Sequence, residues 1–464
     1  MDADALCFQP AGALARLIAS RQVSSVEVVD AVLDRATRLN PVLNIFAHKM
    51  FDSAREQARA AEAAVMTGAA LGPLHGVPIT VKDNVPIAGL PMANGSLTSG
   101  GFVPEADAAV VARVRAAGAI IIGKTNLPEF AHKVLTDSPL FGVTRNPWSL
   151  EHTPGGSSGG ASAALAAGVA PLAIGTDGGG SIRCPASCAG VLGIKATLGR
   201  IPFEAIPDAF ANFAFIGPMA RTVGDLALLL SVMSGPDLAD PYSIAVPAET
   251  FRPVASARGL RIGWIEDFGQ YRTEAETARL TRAAVMSLQA EGAEVEALRD
   301  SCFDDLFATY VVLATTAHAA RLGLLVEAWG DRLTESIRAS IRRGQGWSAV
   351  DWQRANDRRT ALFRSVQGLF ARYDLIATPT MTAPPTGLDA GGSIETTMYA
   401  EWAAPLYPFN MTGHPAASVP AGFTAAGLPV GLQLIAPWFA EQRILDVAAV
   451  LERMHRWPEQ WPRV

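Results

Sequence analysis

Lysine is nearly absent from this 464-residue chain: among 38 basic residues only Lys49, Lys82, Lys124, Lys133 and Lys195 are lysines, and none follows position 195. Arginine replaces lysine cheaply on a surface but cannot be deprotonated in a protein, so each surviving lysine raises the question of whether its basicity is used. Charge as a whole is scarce, at 18% of residues against about 25% in average proteins, while 49% are apolar. That balance excludes a disordered chain. The net charge of −6 excludes an overall basic field for nucleic acid or an anionic membrane, and leaves a small neutral or polar molecule as the expected partner.

Cysteine is limited to positions 7, 184, 188 and 302. Cys184 and Cys188 stand as CxxxC and not as the CxxC of a zinc site, so neither a disulfide framework nor a metal centre is expected. Small apolar packing is the reading for that pair, and reduced thiols fit a cytoplasmic setting. The first residues lack a basic stretch followed by an apolar one, so no secretory signal is read. Residues 152–176 carry no Asp, Glu, Lys or Arg, but about half of them are Gly, Pro, Ser or Thr, including Pro154 and Pro171. They read as loop and buried helix and not as a membrane span.

Several catalytic patterns are missing as well. No histidine precedes a glutamate, which removes HExxH zinc chemistry. No lysine follows a serine at three positions, which removes SxxK. GxxxxGK[ST] is absent, and no glycine-rich stretch fits GxGxxG between strand and helix. GxSxG occurs at residues 155–159, but the preceding residues 148–154 are polar and end in proline, so no strand runs into the elbow an α/β-hydrolase requires.

Periodicity gives the outline. Residues 1–70 read as helical, with Ser24 and Glu27 as a capping box, Asn40-Pro41 ending one helix and Gly68 ending another over residues 52–66. Residues 71–234 alternate short apolar strands (77–81, 119–122, 172–174) with helices (106–117, 162–168). Residues 235–372 read as a mainly helical flank with strands at 260–265 and 294–298. Residues 373–464 return to strands at 375–377, 418–421 and 432–435 before a last helix over 442–455. This is an α/β layered fold around a largely buried sheet, with 1–464 as a single domain. The arginines between Arg338 and Arg359 are interleaved with Asp331, Glu335, Asp351 and Asp357, so they read as a solvated helical face.

The densest unusual sequence is a pair of glycine-rich loops carrying serines, residues 154–160 (PGGSSGG) and 175–183 (GTDGGGSIR). Glycine lets a backbone turn at positive φ and approach a ligand closely. Consecutive N–H groups ahead of a serine can then converge on one point, as an oxyanion hole for acyl transfer requires.

These loops, together with residues 74–84 (LHGVPITVKDN), 123–130 (GKTNLPEF), 146–148 (NPW), 217–223 (GPMARTV), 409–416 (FNMTGHPA) and 427–433 (GLPVGLQ), resemble the amidase signature family of Ser-Ser-Lys amide hydrolases over nearly the whole length. The resemblance implies that family's α/β/α layers around a large mixed, twisted sheet. It also implies Ser181 as nucleophile, Ser157 as a bridging serine in a cis peptide, Lys82 as base, and an oxyanion hole from the N–H groups of Gly178, Gly179, Gly180 and Ser181. Lysine is the cation that burial can bring to a useful neutral fraction near pH 7, so the chemistry agrees. No cofactor or metal is implied. Ser158, Thr176, Asp177 and Arg183 are expected to support the loops, Arg183 pairing with Asp177 or a carbonyl.

One departure from the family pattern is Ala196, where the family usually has proline. Phe210, Phe213, Trp402 and Tyr407 are candidate pocket walls. A structural reading is preferred for His132 and Asp137. The expected function is hydrolysis of a small carboxamide to carboxylate plus ammonia or amine through an acyl-Ser181 intermediate. The alternative is a glutaminase component of a multisubunit tRNA-dependent amidotransferase. A homodimer is compatible with either.

Overall fold

The computed structural model describes residues 2–99, 101–394 and 396–464. Thirteen strands occur in them: β1 (Phe46–Lys49), β2 (Pro78–Lys82), β3 (Ile120–Thr125), β4 (Asp137–Ser138), β5 (Gly142–Val143), β6 (Leu172–Asp177), β7 (Leu192–Lys195), β8 (Phe215–Ala220), β9 (Arg261–Trp264), β10 (Glu294–Ala297), β11 (Leu375–Pro379), β12 (Ala416–Phe423) and β13 (Pro429–Ile435). All but the β4–β5 pair join one mixed sheet in the order β1-β3-β2-β6-β8-β7-β12-β13-β11-β9-β10. β2 runs parallel to both β3 and β6, β9 runs parallel to β10 and β11, and the other neighbours are antiparallel. The strands of the mainly helical flank thus extend the sheet that the two serine loops hang from.

Every residue of β2, β3, β6, β7, β8, β11 and β13 is buried. That is the signature of a sheet covered on both faces, and it explains why β2, β3, β6, β11 and β13 read as apolar runs without alternation. β8, which contains a proline, was not expected, nor were the short β1 and β7: β1 is four residues with one exposed lysine, and β7 is Leu-Gly-Ile-Lys. Pairing with β3 and with β8 and β12 decides their form.

The Ser24 and Glu27 capping box is present, with Glu27 N–H donating to Ser24 Oγ at 3.0 Å and Ser24 N–H to Glu27 Oε2 at 2.7 Å. The helix it starts, Ser25–Leu43, runs through Pro41 and does not stop there. It ends at Asn44 in the left-handed conformation, while Asn40 Oδ1 accepts from the N–H groups of Ile45 and Phe46. Pro41 has no N–H to donate within that last turn, a cost that the burial of Leu39 and Leu43 on either side of it outweighs. Helix Phe51–Thr67 ends at Gly68 as expected.

The helix Leu306–Trp329 dominates the flank. Its stretch is long and apolar enough, by length and composition, to cross a membrane. Its first half, including Tyr310, Val311 and Leu313, is buried in the chain's own core.

Candidate active site

β2 and β6 lie side by side and parallel, with Val81 opposite Ile174. Their carboxyl ends therefore open on the same edge of the sheet, the usual place for a ligand crevice in open α/β folds. β2 delivers Lys82 there, and β6 delivers Thr176 and Asp177 and the loop leading to Ser181. The other serine loop, around a cis peptide between Gly156 and Ser157, packs beside it. Ser158 joins the two loops: its N–H donates to Ser181 O at 3.1 Å and its hydroxyl to Thr176 O at 3.2 Å.

Lys82 is completely buried. Its Nζ donates to Ser157 Oγ at 2.6 Å and to Thr176 Oγ1 at 2.9 Å, and Asn84 Nδ2 also reaches Thr176 Oγ1 at 3.0 Å. No carboxylate pairs with it among the described residues. Burial pushes its pKa well below the usual 10.5, and the more distant charge of Asp177 opposes this only in part. Ser157 and Ser181 both line one cavity of about 770 Å³, a volume typical of sites for drug-sized molecules.

The loop after β6 is held from two sides. On the inner side, Asp177 Oδ1 accepts from Gly180 N–H at 2.6 Å, and Asp177 Oδ2 accepts from Ile182 N–H at 3.1 Å. Arg183 donates to both oxygens of Asp177 at 3.0 Å and continues to Asn410 Oδ1, Gln433 Oε1 and the Leu406 carbonyl. Burial would raise the pKa of Asp177, but Arg183 and the amide of Asn410 outweigh it and hold the carboxyl below its usual range. The expected pairing of Arg183 is thus met by a carboxylate and a carbonyl together.

On the outer side, the Tyr310 hydroxyl donates to Gly178 O at 3.4 Å and the Tyr399 hydroxyl to Gly179 O at 3.3 Å, with the two hydroxyls 3.1 Å apart. Burial pushes the Tyr310 phenol up to about 12, so it stays a donor at neutral pH. Gly179 has no room for a side chain, because a Cβ would lie 2.0 Å from Tyr310 Oη, and Gly180 has φ +118°. Both glycines are therefore dictated by the loop's path.

This geometry alters one expectation. Gly180 N–H is spent on Asp177, so it does not face the cavity as an oxyanion donor. The N–H groups of Gly178, Gly179 and Ser181 have no partner among the described residues.

The expected pocket walls fare unevenly. Phe213 lines the cavity. Phe210 does not: its residue is 80% exposed on the outside of the same loop, where its carbonyl accepts from Tyr242 Oη. Trp402 is buried in the core, with its indole N–H donating to Ala383 O at 2.8 Å. Tyr407 is also buried, stacked behind Tyr310 at 5.0 Å between ring centroids. It backs the wall and does not form it.

His132 lines the cavity, while Asp137 pairs with Lys133 at 2.7 Å. Tyr399 begins the segment 399–409 whose aromatics are expected to wall the pocket, and it does line the cavity. Two groups went unrecognised in the sequence: Tyr310 comes from a segment without a motif, and Arg359 leaves its solvated-looking stretch to donate to Asn212 O and Met411 O, tying down the loop that carries Phe213. No group of histidine, cysteine, aspartate and glutamate among the described residues could hold a metal ion.

Comparison with known proteins agrees with this geometry. The sequence profile of the family described as Amidase matches residues 27–445. The chain is 36% identical over 463 residues to a glutamyl-tRNA(Gln) amidotransferase subunit of Synechococcus sp. (strain CC9605), covering 94% of each chain. It is 35% identical over 463 residues to an acylamidase of Rhodococcus erythropolis, covering 97% of this chain and 96% of that one. The fold superimposes on a bacterial aryl acylamidase of the amidase signature family with a TM-score of 0.90 at 30% identity, covering 97% of both. With the two serine loops, the buried lysine and the mixed sheet in place, the chain belongs to the amidase signature family of carbon–nitrogen hydrolases.

Proposed function

We propose that Lys82, Ser157 and Ser181 carry the family's Ser-Ser-Lys hydrolysis of small carboxamides in this chain, and that the lone chain performs it. The observation that carries this reading is a wholly buried lysine, unpaired with any carboxylate among the described residues, 2.6 Å from a serine that shares a cavity with Ser181. In its neutral form Lys82 takes a proton from Ser157 Oγ as Ser157 takes the proton of Ser181 Oγ. Ser181 Oγ attacks the carbonyl carbon, and negative charge develops on the carbonyl oxygen against the N–H groups of Gly178, Gly179 and Ser181. The tetrahedral intermediate collapses as the proton returns through Ser157 to the leaving nitrogen. Water, deprotonated by the same route, then attacks the acyl-Ser181 ester and frees the carboxylate.

The substrate reading rests on the cavity wall. Phe213, Tyr310, Tyr399, Leu313, Ala314 and Ala317 make it predominantly apolar around the serines, which suits an aliphatic or aromatic amide. A glutamine would bring an amino group and a carboxylate close to the nucleophile. Among the described lining residues, the charged groups are Lys133, already paired with Asp137, and the more remote Asp208 and Arg321.

The identity with the amidotransferase component favours a second reading, glutamine hydrolysis in a multisubunit enzyme. A panel of alkyl and aryl amides, with glutamine included, assayed for ammonia and amine release by the isolated protein separates the two. Turnover of apolar amides without glutamine use supports the first, and glutamine turnover that appears only with partner proteins supports the second.

All groups used come from one chain, so a homodimer would leave the mechanism unchanged, and neither nucleic acid nor a membrane takes part. Four free thiols suit a reducing, cytoplasmic setting.

A further inference from the structure

The long helix Leu306–Trp329 lays one face along the cavity: Tyr310, Leu313, Ala314, Ala317 and Arg321 recur at helical spacing and all line it. Tyr310 marks the catalytic end, since its hydroxyl touches the carbonyl of Gly178. Arg321 lies eleven residues further, on the order of 16 Å along the axis. Helical side chains lean toward the N-terminus, so its guanidinium is directed back toward the catalytic end. Between the two, Ala314 and Ala317 leave the wall hollow, and the facing loop contributes Ile206, Ala211 and Phe213.

Charges facing this trough are few. Lys133 is paired with Asp137. His132 and His318 are held neutral, burial lowering them to about 3 and about 4, and their ring nitrogens are engaged by Ser336 and Ser340. Arg321 is exposed at the mouth and has no hydrogen bond or ion pair among the described residues. Partial burial of the guanidinium lowers its pKa, and Asp208, on the opposite loop, opposes this without bonding to it.

We infer that Arg321 anchors a carboxylate at the far end of an extended amide substrate, whose scissile bond lies at Ser181 and whose apolar middle fills the trough beside Ala314 and Ala317. This rests on the amide-hydrolase reading above and adds the substrate class: monoanionic long-chain amides, spanning about three to four extended peptide residues. A planar guanidinium fork suits a carboxylate. The negative charge of Asp208 disfavours a dianion such as a phosphate monoester at the same place.

The test uses the Ser181→Ala protein and two probes, the monoanilide of suberic acid and its methyl ester, with affinities measured by calorimetry. The acid is expected to bind roughly five- to tenfold more tightly, and Arg321→Ala, a change at an exposed position, is expected to erase that preference while leaving the ester unchanged. Raised salt should narrow the difference. Equal affinities, no binding of either probe, or a preference that survives Arg321→Ala would overturn the inference. Aniline release from the methyl ester by the unmutated protein tests amide hydrolysis separately: its absence, with the binding preference intact, would count against the amidase reading alone.

Discussion

Lys82 and Lys195 are both wholly buried, and burial pushes both well below the ordinary lysine pKa, yet their surroundings differ in kind. Lys82 ends on two hydroxyls, Ser157 and Thr176, at the edge of a cavity. Lys195 ends on the carbonyls of His414 and Ala196 and lies 4.0 Å from the centroid of the Phe215 ring. A hydroxyl can accept from a lysine, give it a proton in the next step and relay the charge onward. A carbonyl can only accept. Lys124 makes the contrast a third way, because its partner is the buried carboxylate of Asp83 at 3.3 Å. Burial therefore leaves a lysine neutral near neutral pH and free to take a proton, and the neighbouring atom decides whether that capacity can be used.

The comparison breaks most sharply under charge-conserving substitution. Lys82→Arg should lower kcat by about 10³-fold or more, because arginine cannot supply a neutral base. Steady-state assay of a folded variant, checked by circular dichroism, decides it. Asp177→Asn comes next: it leaves Arg183 buried without its carboxylate and sets an NH2 donor where one oxygen accepted from Gly180 N–H or Ile182 N–H, so kcat should fall about 10²-fold and stability by about 3 kcal/mol, read by denaturant titration. Tyr310→Phe with Tyr399→Phe removes the outer clamp on the Gly178 and Gly179 carbonyls. The expected loss is about tenfold in kcat with little change in KM, since the clamp orients donors used in the transition state. The smallest effect belongs to Lys195→Met, expected to keep kcat within a few-fold and to leave stability near neutral or slightly raised.

Lys82→Met sharpens the same contrast through pH. The unfolded chain holds the Lys82 proton up to about 10.5, whereas the folded chain releases it well below that value, so the unfolded state binds more protons across the interval. Lys82 consequently costs stability at low pH, and the cost shrinks as pH rises toward 10.5. An inactive Lys82→Met protein should melt at a higher temperature than the native protein near neutral pH, and the gap should close as pH is raised.

Much of this site was legible in the linear sequence because its groups sit in contiguous loops whose glycines are dictated by local backbone needs, as at Gly179 and Gly180. Lys82 was singled out by scarcity and then by the loops around it. The outer clamp was not legible. Tyr310 and Tyr399 act through single hydroxyls and reach the loop from 132 and 220 residues away; Tyr310 lies in a stretch whose pattern says only helix, and the aromatic segment of Tyr399 suggests a pocket wall but not a hydrogen bond to the loop.

Arg359 was hidden for a related reason. Arg338 and Arg342 do pair with Glu335 on an exposed face, but Arg359 lies on the next helix, Ala349–Leu369, and faces inward. Phe210 and Phe213 were alike in sequence, and the path of the loop, fixed by contacts such as Tyr242 to the Phe210 carbonyl, puts one in solvent and the other in the cavity. Pro41 shows that a strong local stop signal yields to tertiary packing when the helix needs only a few residues more.

The central claim is that neutral Lys82 draws the proton from Ser181 through Ser157. The most direct measurement is the pH dependence of Ser181 phosphonylation by a fluorophosphonate, with Ser181→Ala as the unlabelled control and Lys82→Arg beside the native protein. The account predicts a rate that rises with pH through one ionisation well below 10.5 in the native protein, and labelling at least about 10²-fold slower in Lys82→Arg. A pH-independent rate, or equal labelling in Lys82→Arg, would contradict it.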